Sequence, residues 1–246
     1  ATGAENHTTI LVIEPSPAQK NMIWTGSDDG KVFYTRNGGE DWTDVSKNIK
    51  GLPEGSWIAQ IKASATNQGE ALLVANNYRR FDFKPYVYRT TDYGKTWKSI
   101  NNGIPYGAYT RVVREDQDQK GLLYAGTEQG VYVSWDAGAS WESLQLNLPI
   151  TPITDLKVHQ GDLIVATSGR SFWILDDLKL LQQFSANADQ FQLFEPKNVI
   201  YGSWYSALNS SDPDFDGTST FEGVNPANGS VIYYNLPKLK DSIAIE

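Results

Sequence analysis

Short runs of alternating apolar and polar residues follow one another along most of the chain, with turn-forming Gly, Asn, Asp and Pro between them. A two-residue period is typical of β-strands with one buried face. The runs form four groups of four: residues 9–14, 21–26, 31–35 and 42–46; 57–63, 71–76, 86–90 and 97–100; 111–115, 122–126, 130–134 and 141–144; and 153–159, 162–167, 171–175 and 179–183. Consecutive units of four strands predict an all-β fold, a β-propeller.

One motif, Ser/Thr-x-Asp/Asn-x-Gly-x-x-Trp, recurs without gaps at residues 35–42, 90–97 and 134–141. Its repeat distance is close to the roughly 40–50 residues of a propeller blade. The acid or amide can bond N–H groups of a tight turn, the glycine can adopt positive φ, and the tryptophan can anchor the turn by packing inward. The structural residues of the motif are Asn37, Gly39 and Trp42; Asp92, Gly94 and Trp97; and Asp136, Gly138 and Trp141.

The repeat also predicts the domain organisation. We expect four blades, at about residues 1–50, 51–103, 104–149 and 150–184. The strand pattern then stops, and residues 185–224 have the Asn-, Ser-, Asp- and Gly-rich composition of a linker. Alternation returns at residues 230–236 and begins once more at 242–246.

Composition removes several classes of function. The net charge is −8 and the 21 Lys and Arg form no basic run, so a nucleic acid partner is not expected. No stretch is long and apolar enough for a membrane span, and residues 1–9 lack the regions of a signal peptide. The absence of Cys excludes disulfides, thiolate metal ligands and a cysteine nucleophile.

Several segments resemble one family, the sortilin-like (Vps10-type) propeller proteins often labelled BNR-repeat glycosyl hydrolases, in which the repeated motif is called the Asp box. The segments are residues 5–9, 23–30, 85–97, 122–128 and 168–177, and the resemblance covers roughly residues 4–184. It departs from the family at Ser168, where related chains often have His, and at Asn37, which replaces Asp.

The resemblance implies a larger exported protein at an extracellular, periplasmic or cell-surface location. It also implies a longer propeller followed by a C-terminal β-sandwich, of which residues 225–246 would be the truncated start. An open arc of four blades would expose two sheet edges and an apolar flank. We therefore expect further blades, supplied by a second chain, by an N-terminal fragment or by self-association.

In such propellers the Asp-box turn lies away from the ligand mouth, so candidate ligand-binding residues belong to the opposite loops. The insertion at residues 76–84 combines two arginines, an acid and three aromatic rings. Stacking rings and guanidinium donors suit a sugar, a carboxylate or a peptide terminus. The candidates are Tyr78, Arg79, Arg80, Phe81 and Arg170. Alternatively, the insertion ties blades together, with Arg79 or Arg80 paired to Asp82 or Glu128.

Glycosidase chemistry would require two carboxyl groups on either side of one bond. The acids expected near the mouth are Asp28, Asp29, Asp82 and Glu128. The Asp28-Asp29-Gly30 segment is equally well explained as a hairpin turn. Catalytic residues therefore stay open.

A calcium loop is suggested by Asp212, Asp214 and Asp216, followed by the turn residue Gly217. The twelfth position of such a loop falls on Gly223, so an acidic, solvated linker is the alternative. No other cofactor is expected. The leading functional hypothesis is a binding or scaffold module that recognises protein, peptide or glycan on its loop face. The alternative is a glycoside hydrolase with a carboxylate pair at the mouth.

Overall fold

A computed structural model describes residues 8–184, 191–199 and 230–236 of the chain. The chain divides into two compact units, Ala1–Leu175 and Asp176–Glu246, which we describe separately. Most of the predicted linker and most of the predicted sandwich lie outside the described residues, so their boundaries stay predictions.

Four antiparallel sheets follow one another through the described part of the first unit. The first contains β1 (Ile10–Pro15), β2 (Ile23–Ser27), β3 (Val32–Thr35) and β4 (Thr43–Asp44). The second contains β5 (Trp57–Ala63), β6 (Ala71–Asn77), β7 (Asp82–Thr90) and β8 (Lys98–Ser99). The third contains β9 (Thr110–Glu115), β10 (Leu123–Thr127), β11 (Gly130–Ser134) and β12 (Glu142–Ser143). The fourth contains β13 (Ile153–His159), β14 (Asp162–Thr167) and β15 (Phe172–Leu175).

Each sheet is a meander in which neighbours in sequence are neighbours in space. Apolar residues of the first and second sheets share one core cluster, and those of the second and third sheets share another. Successive sheets therefore pack face to face, as the blades of a β-propeller do. This confirms the predicted fold class, a partial propeller.

One strand of the fourth blade was predicted wrongly. Residues 179–183 form a short helix, α1 (Lys179–Gln183), and the fourth sheet has three strands. Asp177 has φ +59°, which turns the chain out of the extended conformation before this segment. The segment itself, Lys-Leu-Leu-Gln-Gln, consists of good helix formers without β-branched residues.

The described part of the second unit contains α1 and a small antiparallel pair. Strand β16 (Gln192–Leu193) pairs with β17 (Tyr234–Asn235), and the N–H of Phe194 donates to the carbonyl of Tyr233 at 3.0 Å. Strand β17 falls inside residues 230–236, which the sequence predicted to be extended, and β16 falls inside the range predicted to be a linker. The side chain of Phe194 is buried.

The Asp-box turns join the third and fourth strands of the first three blades and share one hydrogen-bond pattern. In the second blade, the Thr90 hydroxyl donates to Asp92 Oδ1 at 2.9 Å and accepts from the N–H of Gly94 at 2.9 Å, while the N–H of Thr96 donates to Asp92 Oδ1 at 2.9 Å. Residues 134–140 repeat this pattern. Asn37 occupies the same place in the first turn because its amide oxygen accepts the same bonds.

The tryptophans of these turns pack across the blade boundary. Trp97 lies edge-on to Trp24 of the first blade, with ring centroids 6.0 Å apart. The indole N–H of Trp141 donates to the carbonyl of Ile100, in the segment after the second blade, at 2.6 Å. Trp42 is exposed, so the expectation that it packs inward is wrong. No blade is described before the first one, so Trp42 has no neighbour equivalent to Trp24 or Ile100.

Two glycines set the distance between neighbouring blades. A Cβ on Gly26 would lie 2.5 Å from Ile58 Cγ2 of the next blade, and one on Gly126 would lie 2.6 Å from Ile153 Cγ2. Both contacts are shorter than real Cβ contacts, so only glycine lets the isoleucine rest on the preceding strand. At both positions the isoleucine of the next blade fills the space that a larger side chain would occupy.

We predict that Gly26→Ala destabilises the first unit by roughly 1–3 kcal/mol, because the added methyl overpacks a dense interface. Urea unfolding measures the change. In Ile58→Ala the clashing methyl is absent, so Gly26→Ala should cost much less in that background. A double-mutant cycle in which the two changes in unfolding free energy simply add would contradict the contact between Gly26 and Ile58.

The Asp-box turns also predict a dependence of stability on pH. Burial alone would raise the pKa of Asp92, but hydrogen bonds, first from the Thr96 hydroxyl, hold that pKa below its ordinary value of 3.8. Burial alone would likewise raise the pKa of Asp136, but hydrogen bonds, first from the Ser140 hydroxyl, hold that pKa below its ordinary value. A lowered pKa in the folded state adds stability that is fully present above about pH 4 and is lost as the pH falls through the folded pKa.

Unfolding midpoints should therefore decline below about pH 4, and the variant Asp92→Asn with Asp136→Asn should decline less steeply. Asn keeps the oxygen acceptor, as Asn37 shows in the first turn. Thermal unfolding across pH measures both profiles. Identical slopes for the two proteins would show that these carboxylates do not carry the effect.

Candidate functional site

Loops of the first unit emerge at two opposite ends of the sheets. The Asp-box turns and the loops between first and second strands share one end, because antiparallel neighbours alternate in direction. The other end carries the loops between second and third strands and the connections between blades. We call it the loop face. Its segments are residues 28–31, 78–81, 128–129 and 168–171, with connections 45–56, 100–109 and 144–152.

The insertion in the second blade is a projecting hairpin. Strand β6 continues to Asn77, β7 begins at Asp82, and these two residues pair across the hairpin. A single 3-10 turn at Tyr78–Arg80 joins them. Phe81 ends this turn with φ +59° and is 85% exposed, so the tip presents an apolar ring to solvent. The loop expected over residues 76–84 is thus mostly strand.

Aromatic rings connect the hairpin to the segment between the second and third blades. Tyr78 stacks on Tyr109 with centroids 5.0 Å apart and planes 16° apart. Phe83 lies 6.3 Å from Tyr109 and 6.2 Å from Tyr106, in the second case edge to face. Tyr109 is buried whereas Tyr106 is exposed. We call Tyr78, Phe83, Tyr106 and Tyr109 the aromatic platform.

The two arginines of the hairpin have different surroundings. The guanidinium of Arg79 lies over the ring of Trp57, 3.5 Å from its centroid, and 5.7 Å from the centroid of Tyr78. Arg80 Nη1 instead donates to the carbonyl of Glu54 at 2.6 Å. No carboxylate of the described residues forms an ion pair with either guanidinium. Arg80 therefore ties the hairpin to a connection, while Arg79 is held by stacking alone.

Arg111 supports the aromatic platform, although sequence reasoning did not place it among the ligand-binding candidates. Its Nε and Nη2 donate to Glu128 Oε2 at 2.9 and 2.6 Å, and its Nη2 donates to the Tyr109 hydroxyl at 3.0 Å. Burial, with Glu128 beside it, raises the pKa of Tyr109 to about 12, so the phenol stays neutral. This network holds the buried ring of the platform in place. Tyr109 and Arg111 lie on either side of Thr110, the first residue of β9, and this spacing of two residues could have indicated their contact.

The four candidate acids have separate structural partners. Asp28 Oδ1 accepts the N–H groups of Thr8 and Thr9, both at 2.9 Å. Asp29 accepts the hydroxyl of Ser27. Asp82 accepts the Tyr86 hydroxyl at 2.5 Å, and Glu128 binds Arg111.

Burial alone would raise the pKa of Asp82, but the hydrogen bond from Tyr86 holds it below its ordinary value. No hydrogen bond in the described part of the chain joins two of the four acids. The pairings of Arg79 or Arg80 with Asp82 or Glu128, which the sequence left as an alternative, are likewise not formed. A catalytic role for any of these acids stays a prediction.

Arg170 lies in the turn of the fourth blade. Its N–H donates to Thr167 Oγ1 at 3.1 Å, and its carbonyl accepts the indole N–H of Trp173 at 2.7 Å. The side chain is exposed, and no contact within the described residues joins it to Arg79 or to the aromatic platform. The structure therefore brings together Tyr78, Arg79, Arg80 and Phe81 but not Arg170.

The opposite end of the sheets contains a cavity of about 680 Å³ that sequence reasoning did not predict. Five of its charged residues form ion pairs with one another: Arg89 and Lys120 bind Glu70, and Arg114 binds Asp155 at 2.6 Å. Burial alone would raise the pKa of Glu70, but its hydrogen bonds and the Arg89 charge hold it low. Two of these ion pairs, Lys120 with Glu70 and Arg114 with Asp155, join neighbouring blades.

Metal and membrane predictions have limited tests. Asp212, Asp214 and Asp216 lie outside the described residues, so the calcium loop stays a prediction. In the part of the chain that is described, no group of three or more His, Cys, Asp and Glu could hold a metal ion. No described helix has the length and apolar character needed to cross a membrane.

Comparison with known proteins yields distant relatives. No family model matches the chain. It is 28% identical over 108 residues to a vacuolar protein sorting/targeting protein 10 of Laccaria bicolor, covering 43% of this chain and 6% of that protein. It is 26% identical over 106 residues to an oligoxyloglucan-reducing end-specific xyloglucanase of Emericella nidulans, covering 43% and 13%. The chain thus spans a small part of these curated relatives.

Solved structures of similar fold are propellers. YCF48 bound to a D1 peptide has a TM-score of 0.50 and 19% identity, covering 69% of this chain and 52% of that one. The GH74 enzyme of Niastella koreensis has a TM-score of 0.51 and 15% identity, covering 65% and 26%. The blade architecture and these likenesses identify the fold as a β-propeller, and the repeated turns and the curated relatives support its similarity to the sortilin-like, BNR-repeat type.

Proposed function

We propose that this propeller is a binding module whose loop face recognises a peptide that carries a carboxylate next to an apolar side chain. The observation that supports this is Arg79, a guanidinium stacked on Trp57 without a carboxylate partner among the described residues. Stacking fixes the plane of the group and leaves its N–H edges directed away from the ring, where they suit a carboxylate. Arg79 is therefore the proposed recognition residue.

Apolar surface lies next to this cation. Phe81 and Tyr106 are exposed, and the aromatic platform, to which Tyr106 belongs, is fixed by ring contacts and by the bond from Arg111 to Tyr109. Exposed aromatic rings held on a rigid base are the residues that dominate binding energy at interfaces. Since a propeller of similar fold is bound to a peptide, the architecture is compatible with peptide recognition.

Glycoside hydrolysis is the second candidate, favoured by the likeness to a xyloglucanase. It needs two free carboxyl groups facing one bond. The separate hydrogen bonds of Asp28, Asp29, Asp82 and Glu128 argue against such a pair. We place the module in a larger exported protein outside the cell membrane, because the relatives are longer and one of the similar folds is an extracellular domain. We also propose a calcium loop at residues 212–217, a linker at residues 185–224 and the start of a β-sandwich at residues 225–246.

An array of peptides with free or amidated C-termini after an apolar residue tests ligand class. We expect binding to peptides with the free carboxylate, weakened by salt, and a loss of roughly tenfold in affinity, about 1.4 kcal/mol, in Arg79→Ala. Fluorescence anisotropy measures both. Arg36→Ala is the matched control, because Arg36 lies over the ring of Tyr93 at the Asp-box end. Equal binding of amidated peptides would refute carboxylate recognition.

The hydrolase alternative has its own measurement. We expect xyloglucan oligosaccharides to remain intact on incubation with the chain, and Asp29→Asn to make no difference, because Asp29 accepts a hydrogen bond from its neighbour Ser27. Reducing-end release, followed over time, is the readout. Turnover by the parent chain that disappears in Asp29→Asn would replace the binding module with an enzyme.

A further inference from the structure

The three connections between the described blades share one short motif. Residues 52–54, 104–106 and 148–150 each consist of an apolar residue, a proline and a third residue, with the sequences Leu-Pro-Glu, Ile-Pro-Tyr and Leu-Pro-Ile. In each connection the N–H of the apolar residue donates to the carbonyl three positions earlier, at 3.4, 3.2 and 2.8 Å. This bond closes a tight turn, and the proline fixes its own φ. The residue after the proline is exposed in all three connections, so each presents one side chain on the loop face.

Two of these exposed side chains are apolar. Tyr106 is 65% exposed and Ile150 is 81% exposed, whereas Glu54 has the equivalent position in the first connection. The connections that contain Tyr106 and Ile150 each have a described blade on both sides. Their position on the loop face is therefore set by packing within the described residues. Apolar side chains at equivalent exposed positions on either side of the third blade form a candidate interaction surface.

Backbone strain accompanies two further apolar side chains of the loop face. Phe81 has φ +59° and Leu146 has φ +43°, in the left-handed region that residues with a Cβ rarely adopt. Leu146 is 70% exposed, and the ring of Phe81 is exposed as well, so burial of neither side chain compensates for the strain. Glycine would adopt either conformation freely. Strain that packing does not compensate is concentrated at ligand sites.

These side chains belong to one continuous surface. The N–H of Gly107 donates to the carbonyl of Phe83 in the hairpin at 3.0 Å. A Cβ on Gly107 would lie 3.1 Å from Gln129 Nε2, in the turn of the third blade. Gly130, at the end of that turn, lies directly against the side chain of Gln145. The hairpin, the connection 100–109, the turn 128–129 and the connection 144–152 therefore contact one another in this order.

Charge differs between the two ends of this surface. At the hairpin end, the guanidinium of Arg79 stacks on Trp57 and has no carboxylate partner among the described residues. At the other end, residues 144–152 contain no charged side chain. A ligand that matches both ends has a carboxylate at one end and an uncharged, apolar segment leading away from it.

We infer that the ligand is an extended peptide that crosses the third blade with two apolar side chains, one beside its terminal carboxylate and one nearer its N-terminus. The first would contact Phe81 and Tyr106, and the second would contact Leu146 and Ile150. Packed sheets are about 10 Å apart and an extended chain advances about 3.3 Å per residue, so about three residues separate the two side chains. This inference rests on the proposed recognition of a carboxylate by Arg79 and adds the length and spacing of the peptide.

Peptides of glycine and serine that end in leucine with a free carboxylate test the spacing. A second leucine is placed at each earlier position in turn, and fluorescence anisotropy measures affinity. We expect the tightest binding with the second leucine about three residues before the last, roughly tenfold tighter than without it, because another apolar side chain is buried. Binding that is the same wherever the second leucine stands would overturn this inference and leave carboxylate recognition intact. Failure of every peptide to bind would refute both.

The variant Leu146→Gly separates binding from structure, because it removes the apolar side chain and also relieves the positive φ. We expect a thermal unfolding midpoint that is unchanged or higher, together with loss of the roughly tenfold advantage of the second leucine. Ile150→Ser should likewise abolish that advantage, whereas Arg79→Ala should weaken binding of peptides with one or two leucines.

Ala137→Gly is the matched control. Ala137 has φ +59° in the third Asp-box turn, at the opposite end of the sheets, and Gly38 has the equivalent position in the first turn. This variant relieves the same kind of strain and should leave the preference for the second leucine unchanged. A lower unfolding midpoint in Leu146→Gly with the preference retained would show that Leu146 is structural and would overturn the inference.

Discussion

Face-to-face packing of one sheet on the next is the interaction on which the rest of this structure depends. A blade of three or four strands has two apolar faces and cannot cover either by itself. The core clusters accordingly combine residues of neighbouring blades, such as Trp24 with Leu73 and Leu72 with Val113. Stability is thus created at boundaries between blades, and a residue's role depends on which boundary it faces.

Polar contacts near the innermost strands reinforce the same boundaries. The side-chain amide of Gln60 accepts from the N–H of Val113 at 2.7 Å and donates to its carbonyl at 3.2 Å, in place of a strand pairing that separate sheets cannot make. Lys62 binds Glu14 at 2.8 Å across the preceding boundary. These bonds satisfy main-chain and charged groups that packing alone would leave buried and unpaired.

The Asp box also stabilises the contacts between blades, and we propose that it takes no part in ligand binding. Its acid or amide folds the turn, and the tryptophans of the second and third turns reach the preceding blade. Since Asp-box turns lie at one end of the first three sheets, we propose that ligands bind at the loop face. There, a projecting hairpin brings Arg79 and Phe81 beside rings from the following connection. The candidate site is therefore a product of two blades, held together by the packing beneath it.

Alternation of apolar and polar residues and the repeated motif were sufficient to predict strand order, blade succession and turn position, because those features depend on local periodicity and on turn chemistry. The two arginines and three aromatic rings of residues 76–84 made this insertion the candidate site, which stays a prediction. Only the tertiary structure decided that residues 179–183 are helical, that Trp42 is exposed and that Arg79 stacks while Arg80 bonds a carbonyl. The exposure of Trp42 depends on which neighbour lies across a blade boundary, and the contacts of Arg79 and Arg80 join residues far apart in sequence, so they leave no local pattern. The helix follows the turn at Asp177, which the strand pattern did not indicate.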